Sequence, residues 1–286
     1  PNHCGEKTGD HSRCWCASEQ FPSGIFEWVP SELLRKSCIC KECLDAYRTE
    51  IASPSRFYLS LSLTNQCNLR CDYCYVFNDS SHRNKSRPEV ITDAVIEKTV
   101  ERFAAYCTQH PFSRPIVYLY GGEPLLVGKE KISSIVDCFR QSVQEILPIE
   151  IEFALQTNGT LLDECWISFL DGLGISTGIS VDHPASSHEL HRKHLDGRSS
   201  YSKVSAAANL LAESEAGKRI FRWVLSRIDI NTNPLEAYQH FKSLSLNQCE
   251  FLFPICDYTD KPPGKSDVEI PVYADWLIPI FNEWYH

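Results

Sequence analysis

From residue 56 to residue 286 the chain alternates strand-like and helix-like segments six times. The strand-like runs are "RFYLSLSLT" (56–64), "PIVYLY" (115–120), "IEIEFALQT" (149–157), "ISTGISV" (175–181), "RIFRWVLSRID" (219–229) and "CEFLFP" (249–254). They are continuously apolar or alternate with period two, as buried or half-buried strands do. The segments between and after them, at 87–107, 129–146, 161–173, 201–214, 234–244 and 272–285, place apolar residues at helical spacing. Repeated βα units dictate a parallel sheet with right-handed crossovers. Six units fall short of the eight that close a barrel. An α/β fold of the partial, open (βα)6 barrel type is therefore expected, with its ligand site at the carboxyl ends of the strands.

The 286 residues carry a formal charge of −9, with Lys and Arg scattered rather than clustered. No basic footprint for nucleic acid is present, and a basic or polar peptide fits the sign better. No apolar run reaches the length needed to span a bilayer. The first residues show no signal-peptide pattern. A cytoplasmic protein without a membrane partner is expected.

Cysteine is abundant, at 14 residues, and unevenly placed. In a cytosolic protein, clustered cysteines argue for metal rather than disulfides. "LTNQCNLRCDYCYVF" (63–77) sets Cys67, Cys71 and Cys74 at C-x3-C-x2-C spacing directly after the first strand, with no fourth cysteine nearby. Three legs of a zinc site completed from elsewhere is one reading. A [4Fe–4S] cluster held by three thiolates, with its fourth iron open to a small ligand, is the favoured one. The five scattered cysteines, Cys107, Cys138, Cys165, Cys249 and Cys256, are expected as buried small apolar residues.

The stretch "CNLRCDYCY" resembles the signature of the radical S-adenosylmethionine (SAM) superfamily. The resemblance implies that the open iron binds SAM, and that the reduced cluster cleaves it to methionine and a 5′-deoxyadenosyl radical that abstracts a substrate hydrogen. It also implies that Tyr73, before the third cysteine, packs near the adenine. Other stretches match in order, each at a strand end. "GGEP" (121–124) implies that Gly121, Gly122 and Glu123 meet the SAM amino group, the glycines allowing close backbone approach and Glu123 pairing with the ammonium. "QTNGTLL" (156–162) offers Gln156 and Asn158 as lining residues; for Asn158 an Asn-Gly turn reads equally well. "GISVDHP" (178–184) is similar to the family's "SIDGP", with Ser180 and Asp182 facing the ligand and His183 where Gly is usual. "HELHRKHLDGR" (188–198) is similar to a stretch whose Arg, here Arg192, contacts the SAM carboxylate; Arg suits bidentate carboxylate binding. His188, His191 and His194 in that stretch are expected as solvated helix-end residues.

The resemblance spans 56–286 and is nearest to enzymes that modify peptides and proteins, such as anaerobic sulfatase-maturating enzymes and maturases of ribosomally made peptides. It implies a peptide or protein substrate, an oxidative modification, and an electron donor such as a flavodoxin or ferredoxin. "FLFPICDYTDKPPG" followed by "YADWLIPIFNEWY" is similar to a subgroup that cross-links an aromatic side chain to an unactivated carbon, making cyclophanes. A radical SAM enzyme acting on a small molecule or an RNA base is the alternative. Asp182, Asp257 and Asp260 are candidate late-step bases by position.

Residues 1–50 read as a separate cysteine-rich, metal-binding domain, joined through a linker at 52–56. "CWC" (14–16) and "CICKEC" (38–43) bracket a segment in which Pro30, Ser31 and Glu32 suit a helix start. A unit this small cannot bury a useful core alone, and metal would supply the missing stability. The pattern resembles a family named for its Cys-Trp-Cys motif, whose preceding knuckle implies two more cysteines upstream of Pro1. With those, Cys4, Cys14, Cys16, Cys38, Cys40 and Cys43 would complete two tetrahedral sites. Zn2+ is favoured there over iron–sulfur, although short knuckles serve both.

Overall fold

The six strand-like segments form one six-stranded, all-parallel sheet in the order β1-β2-β3-β4-β5-β6. The strands are β1 (Tyr58–Thr64), β2 (Ile116–Gly121), β3 (Glu152–Thr157), β4 (Ile175–Ser180), β5 (Phe221–Arg227) and β6 (Gln248–Leu252). Each new strand adds to the same edge, so β1 and β6 are the two edges of an open sheet. The structure is a computed structural model. It describes residues 19–21, 25–26, 29–30, 39–52, 57–74, 89–109, 114–144, 150–244, 248–256, 261–264 and 271–286.

Helices α1 (Lys41–Ala52), α2 (Asp93–Gln109), α3 (Lys129–Gln144), α4 (Glu164–Gly172), α5 (Ala185–His191), α6 (Tyr201–Glu213), α7 (Glu215–Ile220), α8 (Pro234–Ser243) and α9 (Val272–Tyr285) follow in chain order. The chain divides into two compact units, Pro1–Arg56 and Phe57–His286. In the second, alternate strand residues enter one core with the helices. Leu61, Leu119, Leu155, Ile179 and Val224 pack there with Phe103 and Phe139. The opposite parity puts Ser60, Tyr118, Gln156, Ser180, Trp223 and Glu250 on the other sheet face, the interior of the partial barrel. That face is uncovered at its edges, where Tyr58 and Leu252 are exposed.

The differences from expectation have local causes. Helix α2 starts at Asp93 because Val90 bridges Thr64 and the Ile91 N–H donates to the Leu63 carbonyl, so this stretch is drawn against β1. β5 starts at Phe221 because Ser214 caps α7, its hydroxyl accepting from the Gly217 N–H. Helix α5 falls in the stretch where helix-end histidines are expected, and the chain enters it through a cis His183–Pro184 bond. The scattered cysteines are not uniformly buried. Cys107 is, Cys138 and Cys249 are half-buried, and Cys165 and Cys256 are exposed. Cys249 packs against the core and burial pushes its thiol up to about 12.

In the first unit α1 carries Leu44 and Tyr47 into a small core with Ile25. The helix start expected at 31–32 lies outside the described residues, as does the linker beyond Ala52.

Candidate functional site

Cys67, Cys71 and Cys74 lie on the loop leaving the carboxyl end of β1, and all three are free and half-buried. That loop is held from two sides. On the β2 side, the Gly122 N–H donates to the Thr64 carbonyl and the Glu123 N–H to the Gln66 carbonyl, each at 2.8 Å. A Cβ at Gly122 would fall 2.2 Å from the Gln66 carbonyl oxygen and 3.2 Å from the Cys67 Cβ. One at Gly121, whose φ is +148°, would fall 2.4 Å from the Thr64 oxygen. The two glycines thus allow strand end and cysteine loop to touch backbone to backbone. On the other side, Arg70 N–H donates to the Lys193 carbonyl (2.7 Å) and Leu69 bridges His194, so the 188–200 segment lies against the loop.

Glu123 is fully buried, and its carboxylate is already engaged. One oxygen accepts from the Leu125 N–H (3.1 Å) and the Thr157 hydroxyl (2.7 Å), the other from the Asn158 N–H (2.8 Å). Burial pushes its pKa up against these three donors. Glu123, expected at the SAM amino group, also ties the end of β2 to the end of β3. Asn158 is braced in turn. Its amide donates to Asn68 Oδ1 (2.8 Å) and toward Cys67 Sγ (3.6 Å), while its Oδ1 accepts from the Thr160 N–H and hydroxyl. Gln156 accepts from Tyr118 Oη (3.3 Å) and Trp223 Nε1 (2.6 Å) and donates to Ser180 Oγ (2.9 Å). Trp223 can cross β4 because Gly178 has no side chain; a Cβ there would sit 2.0 Å from the indole nitrogen. Tyr118, Gln156 and Trp223 form a hydrogen-bonded floor to the barrel interior.

The β4–β5 side is organised around Tyr73. Its hydroxyl donates to Asp182 Oδ2 (2.5 Å) and accepts from Arg192 Nη1 (2.9 Å). The Arg227 guanidinium lies 4.7 Å from the Tyr73 ring centroid, and the Arg227 main-chain N–H donates to Asp182 Oδ1 (3.0 Å). The Nε atoms of Arg192 and Arg227 are buried without a hydrogen-bond partner. Asp182, expected as a base, is 2% exposed with both oxygens engaged. Asp257 and Asp260 lie outside the described residues.

His188 departs most from expectation. It is fully buried, not solvated, with Nδ1 accepting from the Asp182 N–H and Nε2 on Ser200 Oγ. Burial, with the Arg192 charge, lowers its pKa to about 3. His191 pairs with Asp72 at 2.9 Å. His183 stacks on His240 at 4.2 Å between centroids, and burial lowers its pKa to about 4.

Electrostatically, burial pushes Cys67 up to about 11 and raises Cys71, where the Arg192 charge offsets part of the effect. Burial also raises Tyr73. For Arg192, burial opposes the charge, but Tyr73, Cys71 and Asp182 outweigh it and hold the guanidinium above its ordinary value. Among the described residues no three His, Cys, Asp or Glu side chains converge on a single metal ion.

Of the expected site residues, Tyr73, Asp182 and Arg192 meet through hydrogen bonds at the Tyr73 hydroxyl, while Ser180 meets Gln156. The sequence reading missed Arg227, Trp223, Tyr118 and Asn68. Strand parity was the available signal for Trp223 and Arg227, which alternate inward along β5 with no motif around them. In the N-terminal unit, Cys40 and Cys43 open α1 with sulfurs 2.7 Å apart, and the Cys43 N–H donates to Cys40 Sγ. Cys4, Cys14, Cys16 and Cys38 lie outside the described residues.

Comparison with known proteins bears on this arrangement. Residues 61–224 match the family described as the radical SAM superfamily, and residues 1–45 match the cysteine-rich CWC family. A cysteine-type anaerobic sulfatase-maturating enzyme of Clostridium perfringens (strain 13 / Type A) is 32% identical over 223 residues, covering 77% of this chain and 57% of the relative. A serine-type anaerobic sulfatase-maturating enzyme of Bacteroides thetaiotaomicron is 27% identical over 236 residues, covering 76% and 54%. The chain thus spans a little over half the length of these relatives. The solved structure of native anSMEcpe with bound AdoMet and Kp18Cys peptide superposes with a TM-score of 0.66 at 28% identity, over 81% of this chain and 60% of that one. With the family match over more than half of its residues, the chain belongs to the radical SAM superfamily.

Proposed function

We propose that this chain is a radical SAM enzyme that oxidatively modifies a peptide. One juxtaposition carries the reading: of three free thiols on the first βα loop, Cys71 feels the charge of a buried guanidinium, Arg192, whose Nε has no partner. The donor set fits both groups the family implies. Three thiols leave one iron of a [4Fe–4S] cluster without a protein ligand, and an incoming carboxylate would meet the unpartnered Nε of Arg192. When bound and reduced, the cluster supplies the electron that cleaves SAM to methionine and a 5′-deoxyadenosyl radical.

The chain's own residues do the rest. Cys67, Cys71 and Cys74 would hold the cluster as thiolates, although burial raises Cys67 and Cys71. Asn158 donates toward the Cys67 sulfur, the kind of contact that sets a cluster's potential. Arg192 takes the SAM carboxylate. Gly121, Gly122 and Glu123 would serve the SAM amino group, Tyr73 the adenine, and Ser180 would face the ligand. Asp182, Asp257 and Asp260 are the candidate bases, by sequence position, for the proton lost after hydrogen-atom abstraction.

A peptide is favoured by the open trough of the sheet interior, bounded by exposed Tyr58 on β1 and Leu252 on β6, and by the peptide held by the structural relative. A cyclophane cross-link and a ribosomally made precursor are the specific product and substrate proposed. A flavodoxin or ferredoxin serves as donor in the cytoplasm; among the described residues no helix is long and apolar enough to cross a membrane. The Cys40–Cys43 pair gives two legs of a Zn2+ site in the N-terminal unit.

Anaerobic reconstitution tests the core of this. Cys71→Ala should lose cluster iron and 5′-deoxyadenosine formation together. Undiminished 5′-deoxyadenosine from that variant would overturn the assignment. Incubation with precursor peptides, read by mass spectrometry for loss of two hydrogens, tests the substrate class; unchanged masses across encoded candidates would count against it.

A further inference from the structure

Five side chains of the β4–β5 side close a hydrogen-bonded ring. The Asp182 main-chain N–H donates to His188 Nδ1 at 3.2 Å. That acceptor role places the imidazole proton on Nε2, which donates to Ser200 Oγ at 2.9 Å. Ser200 Oγ–H donates to the Arg192 carbonyl at 2.8 Å. Arg192 Nη1 donates to Tyr73 Oη at 2.9 Å, and Tyr73 Oη–H returns to Asp182 Oδ2 at 2.5 Å. Every member donates once and accepts once around the ring, all in the same sense. His188 and Ser200 are fully buried, Asp182 and Arg192 nearly so.

The ring grips Arg192 at both ends, by its carbonyl through Ser200 and by its guanidinium through Tyr73. One member of that guanidinium, Nε, is left buried and unpartnered. A buried donor without an acceptor is costly, so a ring that enforces one points to a ligand oxygen that completes it. Charge agrees: Arg192 and Arg227 both lie against Tyr73, with Asp182 the one carboxylate hydrogen-bonded to it.

We propose that His188 and Ser200, which do not face the ligand, are positioning residues that aim the Arg192 guanidinium at a ligand carboxylate through this ring. The proposal rests on the reading of Arg192 as the carboxylate contact. Only neutral imidazole with its proton on Nε2 can both accept from Asp182 and donate to Ser200. The lowered His188 pKa, about 3, keeps it in that state at neutral pH. The ring explains why a histidine sits four residues before the arginine: the span is one helical turn, and the Arg192 N–H caps α5 on the His188 carbonyl.

The test uses the cluster-reconstituted chain and two probes, S-adenosylhomocysteine and its decarboxylated analogue, with dissociation constants measured anaerobically by calorimetry. Ser200→Ala should weaken S-adenosylhomocysteine about tenfold, the scale of one misaimed charge-assisted hydrogen bond. It should leave the decarboxylated analogue within about twofold, close to the resolution of the method. Ser200→Thr, which keeps the hydroxyl, should restore the lost affinity. Tyr73→Phe opens the ring at its opposite end and should give the same ligand-selective loss, which guards against a Ser200 variant that fails to fold. Equal weakening of both probes, or of neither, would overturn the positioning role while leaving the enzyme class intact. Failure of the wild-type protein to bind either probe would instead overturn the reading of this site as the SAM site, on which the proposal rests.

Discussion

The two sides of the site are built on opposite principles. On the β1–β3 side, the functional groups of Glu123, Gln156 and Asn158 are all engaged by protein partners. On the β4–β5 side, Arg192 and Arg227 each keep a buried Nε with no partner. Buried polar groups are normally satisfied. The satisfied side therefore reads as scaffold for the cysteine loop, and the unsatisfied side as the part that waits for a ligand. Substitutions on the first side should cost stability and cluster loading; those on the second should cost ligand affinity.

The largest effect is expected at Gly122. Its missing Cβ would stand 2.2 Å from a main-chain oxygen and 2.6 Å from the Gln66 carbonyl carbon, neither of which can move without moving the cysteine loop. Gly122→Ala should cost about 3 kcal/mol, the upper range for overpacking, and should strip the protein of cluster iron. Gly172→Ala, at the end of α4 with nothing within 4 Å of the added carbon, is the control and should be near neutral. Similar denaturation midpoints for the two variants would show that the β2 end does not brace the loop.

Acid should find the ligand-facing side before the scaffold. His188, held to about pKa 3, stays unprotonated in the folded state while the unfolded chain takes up a proton from about 6.5 downward. The unfolded state then binds more protons, so stability falls as pH falls between about 6.5 and 3. His183, at about 4, adds to the same trend over the upper part of that window. Glu123 works with the opposite sign: its raised folded pKa makes stability decline as pH rises above 4.5. Urea unfolding across this range should show a loss on the order of a few kcal/mol, with a shallower slope in His188→Gln. Parallel curves for the two proteins would remove His188 from the acid response.

Glu123 tests the scaffold side with a smaller change. Glu123→Gln keeps the shape but turns one acceptor into a donor facing backbone and hydroxyl donors. The expected cost is about 2 kcal/mol, that of stranding a buried donor, with the affinity of the reconstituted protein for S-adenosylhomocysteine changed little. If ligand affinity falls while stability holds, the carboxylate meets the ligand after all and the division between the sides is misplaced.

How legible these sides were in the sequence follows from what periodicity can carry. The six strands and their order were readable because strand parity and helical spacing repeat with every unit. The cysteine loop was readable because its motif directly follows the first strand. The partners of the site residues were not. Glu123 and Thr157 are 34 positions apart, and Tyr73 and Asp182 are 109 apart. Nothing local records that such groups will meet. His188 was misread because a histidine near a short helix end is usually solvated, and its burial depends on Ser200 and Asp182 arriving from other segments. Helix α7 escaped because the "RIFRW" run reads as strand throughout, while the Ser214 cap that starts the helix lies upstream of it.

The smallest expected effect lies in the floor between the two sides. Trp223 belongs to β5, yet its indole N–H reaches across Gly178 to Gln156 of the scaffold side. Trp223→Phe keeps a ring over Gly178 and removes only the donor. Gln156 Oε1 still has the Tyr118 hydroxyl at 3.3 Å, so no acceptor is stranded and the cost should be about 1 kcal/mol, that of one neutral hydrogen bond. The two-side division makes a sharper demand than the magnitude. Because Gln156 also donates to Ser180 on β4, a floor that transmits between the sides would lower S-adenosylhomocysteine affinity along with stability. A floor that merely closes the barrel would lower stability alone. Combining Trp223→Phe with Tyr73→Phe decides between them: additive losses in binding free energy mark independent sides, and a coupling of about 0.5 kcal/mol or more marks a floor through which the scaffold sets the aim of Arg192.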